Sequence, residues 1–208
     1  MDRPPTSAAQ SNPTPDEPAW KVVLAGKSPR EILARLVEGD PLGLRARCEL
    51  RVRSQAVLLE VHGLHLRSAA HVARHAPGYA GAPSIDVWLG EKVRRAAQEL
   101  LQEAAELVAA GAIPEPPEDE RLLAIADAFG IAPESLGRGC VAFNRAPYEA
   151  RAAFHGIVLE GHAIETWCEV NSTTTERAIA ALRTALWALG VREELDLDEW
   201  LRGGEHDA

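Results

Sequence analysis

The sequence predicts an all-α protein of two small helical domains. Three observations lead there. Ala, Leu, Arg and Glu are abundant, aromatic residues make up only 5%, and β-branched runs are short, which favours helix over sheet. Apolar residues recur at three- and four-residue spacing over several windows. Between those windows lies GAIPEPPEDE, residues 111–120, an acidic proline-rich stretch with the composition of a linker.

Residues 1–18, rich in Pro, Ser, Thr and Asn, are expected to be disordered. Ser28-Pro29-Arg30-Glu31 then spells a helix start, with Ser28 as N-cap, Pro29 in the first turn and Glu31 at the capping-box position. Ile32, Leu33 and Leu36 form its apolar face, and Gly39 marks its end. From Leu42 to Ala76 the pattern is again helical, with its breaks undefined. Alternation at Leu50 and Val52 and across Ala56 to Val61 keeps a short strand pair as an alternative. Ala76-Pro77-Gly78 closes this region. Pro83-Ser84-Ile85-Asp86 opens a second strong helix, on which Val87, Leu89, Val93, Ala96, Ala97, Leu100, Leu101, Ala104 and Leu107 keep helical spacing to about Ala110. The first domain is thus 19–110.

Beyond the linker, residues 121–140 are read as helical, with a helix from Glu120 to Phe129 closed by Gly130. Gly137-Arg138-Gly139 is read as a turn rather than a phosphate cradle. The second domain, 141–190, holds three short helices. Pro147 suits the first turn of one, with Ala150, Phe154, Ile157 and Val158 on its apolar face and Gly161 at its end. Ile164 to Val170 makes the next. Asn171 and Ser172 form a turn, and Thr173 or Thr174 caps a third helix whose start is stabilised by Glu176. Ala178, Ile179, Leu182, Ala185 and Leu186 face inward, leaving Thr175, Arg177, Ala181 and Arg183 outward. The last two helices have the spacing of a helix-turn-helix, which serves either DNA reading or protein contact. Residues 191–208 form an acidic tail.

The net charge of −9 argues against indiscriminate nucleic-acid binding. The acidity sits mainly in 111–140 and in the tail, so both structured blocks are close to neutral. Cys48, Cys140 and Cys168 form no CxxC pair and read as reduced, buried thiols. No apolar run approaches the ~20 residues needed to span a bilayer, and residues 1–18 lack a signal core; a cytoplasmic location is expected. His62, His65, His71 and His75 lie close in sequence and could share a metal, but no carboxylate accompanies them as in a metalloprotease; ordinary histidines are the simpler reading. Neither a metal cofactor nor an enzymatic site is read from the sequence.

Two stretches carry a family resemblance. Phe143 to Gly190 resembles region 4 of bacterial sigma-70-type transcription factors of the extracytoplasmic-function group. Ala146-Pro147 with Arg151 and Phe154, then Glu160-Gly161, then Ile164-Glu165-Thr166-Trp167-Cys168, match the family's successive segments, with Thr174 at the capping position and Leu182 and Ala185 further along. Asn171, Ile179, Ala181 and Thr184 depart from the pattern at apolar or basic positions. Upstream, Tyr79 to Leu101 resembles the end of sigma region 2 through Tyr79, Gly81, Ile85, Trp88, Leu89, Arg94 and Glu99.

The resemblance implies a transcription protein that binds core RNA polymerase and promoter DNA, with an anti-sigma protein as a further partner. In that reading Trp88, Lys92, Arg94 and Arg95 engage promoter DNA, and Thr174, Thr175, Arg177 and Arg183 read a second element. Two alternatives stand beside it. Trp88 can be a core anchor and the basic cluster a solvated face, and a degenerate sigma-like protein can act through protein contacts alone.

Overall fold

The computed structural model describes residues 19–191. They form ten α-helices, and no strand occurs among the described residues. The expected disordered segment and acidic tail lie outside them, apart from Val191.

Helix α1 (Ala19–Leu24) leads into α2 (Pro29–Gly39). The start of α2 is dictated locally: Ser28 Oγ accepts from the Glu31 N–H, and the Glu31 carboxylate accepts from the Ser28 N–H at 2.8 Å. Helices α3 (Leu44–Gln55) and α4 (Val61–His75) fill the span read as helical from Leu42 to Ala76. The break between them is residues 56–60, the stretch with strand-like alternation. It has no strand partner and is a buried connection instead. The long helix α5 (Ile85–Ala109) follows. Ile32, Leu36, Leu44, Cys48, Leu64, Val72 and Leu89 pack into one core, with α4 lying against α2, α3 and α5.

A second core gathers α6 (Glu120–Ala128), α7 (Pro133–Arg145), α8 (Tyr148–Ala153), α9 (Ile164–Val170) and α10 (Thr175–Leu189). Phe143, Phe154, Leu182 and Leu189 are at its centre, fully buried. Helix α7 runs through position 140, so the stretch read as preceding the C-terminal domain is part of the same core. After Ala153 the backbone widens into a π-helical turn, Phe154–Leu159. Ala181, expected on the outer face of α10, is buried.

Gly137 and Gly139 are not a turn: they lie inside α7 as close-approach sites. A Cβ on Gly137 would overlap the Pro114 carbonyl, and one on Gly139 the Leu189 carbonyl. The linker is therefore packed onto α7 at Pro114, which is buried.

The two cores meet through polar contacts to the α3–α4 connection. Asn144 on α7 pairs with Leu58 in both directions: the Leu58 N–H donates to Asn144 Oδ1 at 2.7 Å, and Asn144 Nδ2 donates to the Leu58 carbonyl at 2.9 Å. Leu58 itself belongs to the second core. Arg151 on α8 donates to the carbonyls of Gln55 at 2.6 Å and Ala146 at 3.1 Å. Ala56 takes a left-handed conformation, φ 46°, which disfavours a residue with a Cβ.

Two stability tests follow from this packing. Asn144→Ala strands two buried backbone groups of Leu58 at once. Urea unfolding should show a loss of about 2–6 kcal/mol, at 1–3 kcal/mol per unsatisfied group. A loss below about 0.5 kcal/mol would mean that water replaces Asn144 at little cost. Gly→Ala inside a helix normally stabilises by about 1 kcal/mol, but overpacking costs about 1–3 kcal/mol. Gly139→Ala should therefore destabilise. Gly90→Ala, on the open face of α5 with nothing near its Cβ position, should stabilise; the same sign for both would refute the close approach.

Candidate nucleic-acid interface

The DNA-contact residues expected from the sequence fall on two helices, α5 and α10. Trp88, on the first turns of α5, is buried at 7% exposure. It stacks on Tyr79 at a centroid distance of 4.5 Å, and Trp20 meets Tyr79 edge-on at 4.9 Å. Tyr79 OH donates to the Pro83 carbonyl at 2.8 Å, which fixes the ring. Lys92 Nζ sits 5.1 Å from the Trp88 ring centroid. The buried indole thus contacts both a ring and a cation, and through Tyr79 and Trp20 this aromatic cluster ties α1 to the α4–α5 connection.

Arg94 and Arg95 are exposed on α5. Arg95 Nε pairs with Glu99 Oε1 at 3.2 Å, and Arg94 Nη1 reaches Gln98 Oε1 at 3.4 Å. Glu99 Oε2 also takes a 2.7 Å contact from His71 Nε2. The His71 hydrogen bond, and then that from Arg95, hold the Glu99 carboxyl below its ordinary value. Arg67 adds a two-pronged contact to Glu103 at 2.7 and 2.9 Å. Of Lys92, Arg94 and Arg95, Arg95 is thus matched by an acid of α5 itself.

One cation was not singled out by the sequence. Arg51, on α3, has no acidic partner among the described residues. Burial lowers its pKa, and the Arg94 charge lowers it further. These two guanidinium groups form an uncompensated like-charge pair across α3 and α5. Only the packing of the two helices brings them together, so spacing along the chain gives no sign of it.

On α10, Thr174 is the N-cap and its hydroxyl accepts from the Arg177 N–H at 3.4 Å. Thr174, Thr175, Arg177 and Arg183 are exposed, and neither arginine makes an ion pair among the described residues. Between them stands Glu176. Its carboxyl is held below the ordinary value by a hydrogen bond to Thr174 and one to its own backbone. Arg151, aligned with the family's basic residue, is occupied at the seam between the cores rather than at a surface.

The histidines diverge. His62 is exposed, His65 Nε2 lies 3.9 Å from Asp40 Oδ1, His71 faces Glu99, and His75 Nδ1 meets the His71 carbonyl at 2.8 Å. Among the described residues no group of three or more His, Cys, Asp or Glu is placed to hold a metal ion. All three cysteines are free and buried. Burial pushes the Cys48 thiol up to about 11 and the Cys140 thiol to about 12, far from a thiolate at neutral pH. No helix among the described residues is long and apolar enough to cross a membrane.

The residue that sequence reading passed over entirely is His155, in the π-helical turn. It is 8% exposed and its Nε2 has no partner. The ring also meets the Val57 backbone. Burial pushes its pKa below the usual 6.5; Glu160, the Val57 bond and Asp119 oppose that shift, and Arg151 adds to it. No protein-family model, curated protein or solved structure matches the chain.

His155 yields a pH prediction. Its folded pKa is depressed, so the unfolded chain takes up the proton first as pH falls. The stability it secures is complete above pH 6.5 and declines below it, at up to ~1.4 kcal/mol per pH unit for one group. Urea unfolding between neutral pH and about pH 5.5 should show this slope. His155→Gln should flatten it, whatever its effect at neutral pH; an unchanged slope would refute the assignment.

Proposed function

We propose that the chain is a sigma-like helical regulatory protein that acts through protein contacts, with α9 and α10 forming a helix-turn-helix used as an interaction unit. The observation that carries this reading is Glu176. In a DNA reader, the start of the recognition helix offers free N–H groups and a positive dipole end to phosphate. Here that position has its own anion, hydrogen-bonded to the cap residue Thr174, and an incoming phosphate meets like charge. The pairing of Arg95 with Glu99 and the burial of Trp88 point the same way. Core RNA polymerase, the partner implied by the sigma resemblance, is the first to test.

Promoter binding is the second reading, favoured by the uncompensated Arg51–Arg94 pair together with Arg177 and Arg183. Four phosphate contacts would give a log K against log salt slope near −4, at about −0.9 per contact. Fluorescence anisotropy with a promoter-like duplex, at about 50 and 200 mM salt, separates the two readings. Expected is DNA binding no tighter than ~100 µM at the higher salt, alongside direct binding to purified core polymerase in sedimentation. Micromolar DNA affinity with the steep slope, weakened by Arg177→Ala and Arg183→Ala, would overturn the protein-contact reading. A polymerase that does not bind would remove that partner.

A further inference from the structure

Helix α10 closes at Gly190, left-handed at φ 107°, and has no basic residue in its last turn. A helix C-terminus carries partial negative charge and is stabilised by nearby cations. The sequence that follows supplies the opposite. Residues 192–208 lie outside the described residues, and their first stretch, REELDLDEWL over 192–201, holds five acids, one base, three leucines and a tryptophan. Its acids are repelled by the helix end and gain from any cation within reach. Two exposed arginines without an ion pair among the described residues are close by. Arg183 lies about two turns back along α10, ~10 Å by the helical rise. Arg138 is on α7, where its neighbour Gly139 packs against the Leu189 carbonyl. Trp187 shares the outward row of α10 with Arg183, one turn further on, and is 62% exposed. This face thus offers guanidinium groups beside an apolar ring, the complement of acids interleaved with leucines.

We propose that residues 192–201 dock back on this face, with carboxylates of the acidic run at Arg183 and Arg138 and apolar side chains against Trp187. Connectivity selects this occupant. The segment starts two residues after the end of α10, and a short tether gives an effective concentration near mM. An acidic peptide from elsewhere, or the same segment of a second copy, has the same chemistry without the tether. Nucleic acid has to displace the carboxylates from the arginines before it can use them. The docked segment therefore competes with outside partners for the outer side of α10, a consequence that rests on α9 and α10 being an interaction unit.

The chain's only lysines are Lys21, Lys27 and Lys92, so Arg183→Lys or Arg138→Lys adds one new amine to the full chain. Zero-length carbodiimide coupling, read by peptide mass spectrometry, should join that amine to a carboxylate between 193 and 199 of the same molecule. Its yield should exceed that from Lys27 by about tenfold. Salt near 1 M should suppress it, because the screening length falls to ~3 Å. Heparin binding gives a second measurement. Glu193→Gln, Glu194→Gln, Asp196→Asn, Asp198→Asn and Glu199→Gln together should tighten it about tenfold over a charge-matched control. That control changes Glu38, Glu91, Glu115, Glu134 and Glu149, all exposed, to Gln. The proposal is overturned if neither new amine couples to the segment, if coupling joins only separate copies, or if the two heparin affinities agree. None of these outcomes depends on polymerase, so docking and the polymerase partner stand or fall separately.

Discussion

The contact on which the arrangement depends is the grip of Asn144 and Arg151 on the backbone between α3 and α4. Residues 56–60 run between two apolar cores, where unpaired N–H and C=O groups would each cost about 1–3 kcal/mol. The helix ends take only some of them: the Ala56 and Val57 N–H groups donate to the Arg53 and Val52 carbonyls, and the Glu60 carbonyl accepts from Leu64. Asn144 satisfies Leu58 in both directions, and Arg151 takes the carbonyls of Gln55 and Ala56. Once this backbone is fixed, Leu58 enters the second core and Val57 meets the His155 imidazole. A short irregular segment thus helps set the relation between the cores, because Leu58 finds its backbone partner in Asn144 of the second core.

The charged surface follows a related logic. Several cations that could serve an external polyanion are answered from within: Arg95 and Arg67 by Glu99 and Glu103, and the start of α10 by Glu176. Each such contact is worth little to stability, because exposed ion pairs contribute about 0–1 kcal/mol. Their larger effect is on association, since each internally matched cation is one fewer available to release counterions from DNA. Arg51, Arg94, Arg177 and Arg183 have no such match among the described residues, and the first two owe their proximity to helix packing.

Much of the helical framework was legible along the chain. The Ser28–Glu31 capping box, the spacing from Val87 to Leu107, the span of α9 and the Thr174 cap are all local, and the structure has helices there. The misread segments share one feature: their reason lies far away in sequence. Gly137 and Gly139 suggest a turn until Pro114 and Leu189 are brought against them. Ala181 looks outward by periodicity but is covered. Trp88 admits a core or a surface reading on pattern alone, and its stack with Tyr79 and Trp20 is visible only after folding.

The candidate sites divide in the same way. The sequence by itself determined an all-helical chain, because capping, propensity and apolar spacing act within a few residues of one another. It also determined the presence of Thr174, Glu176, Arg177 and Arg183 on one helix. Only the tertiary structure decided which charges are matched, that His155 is buried, and that α7 beside Arg138 packs against the end of α10. Charge pairing and burial depend on distances across helices, and no local pattern encodes those distances.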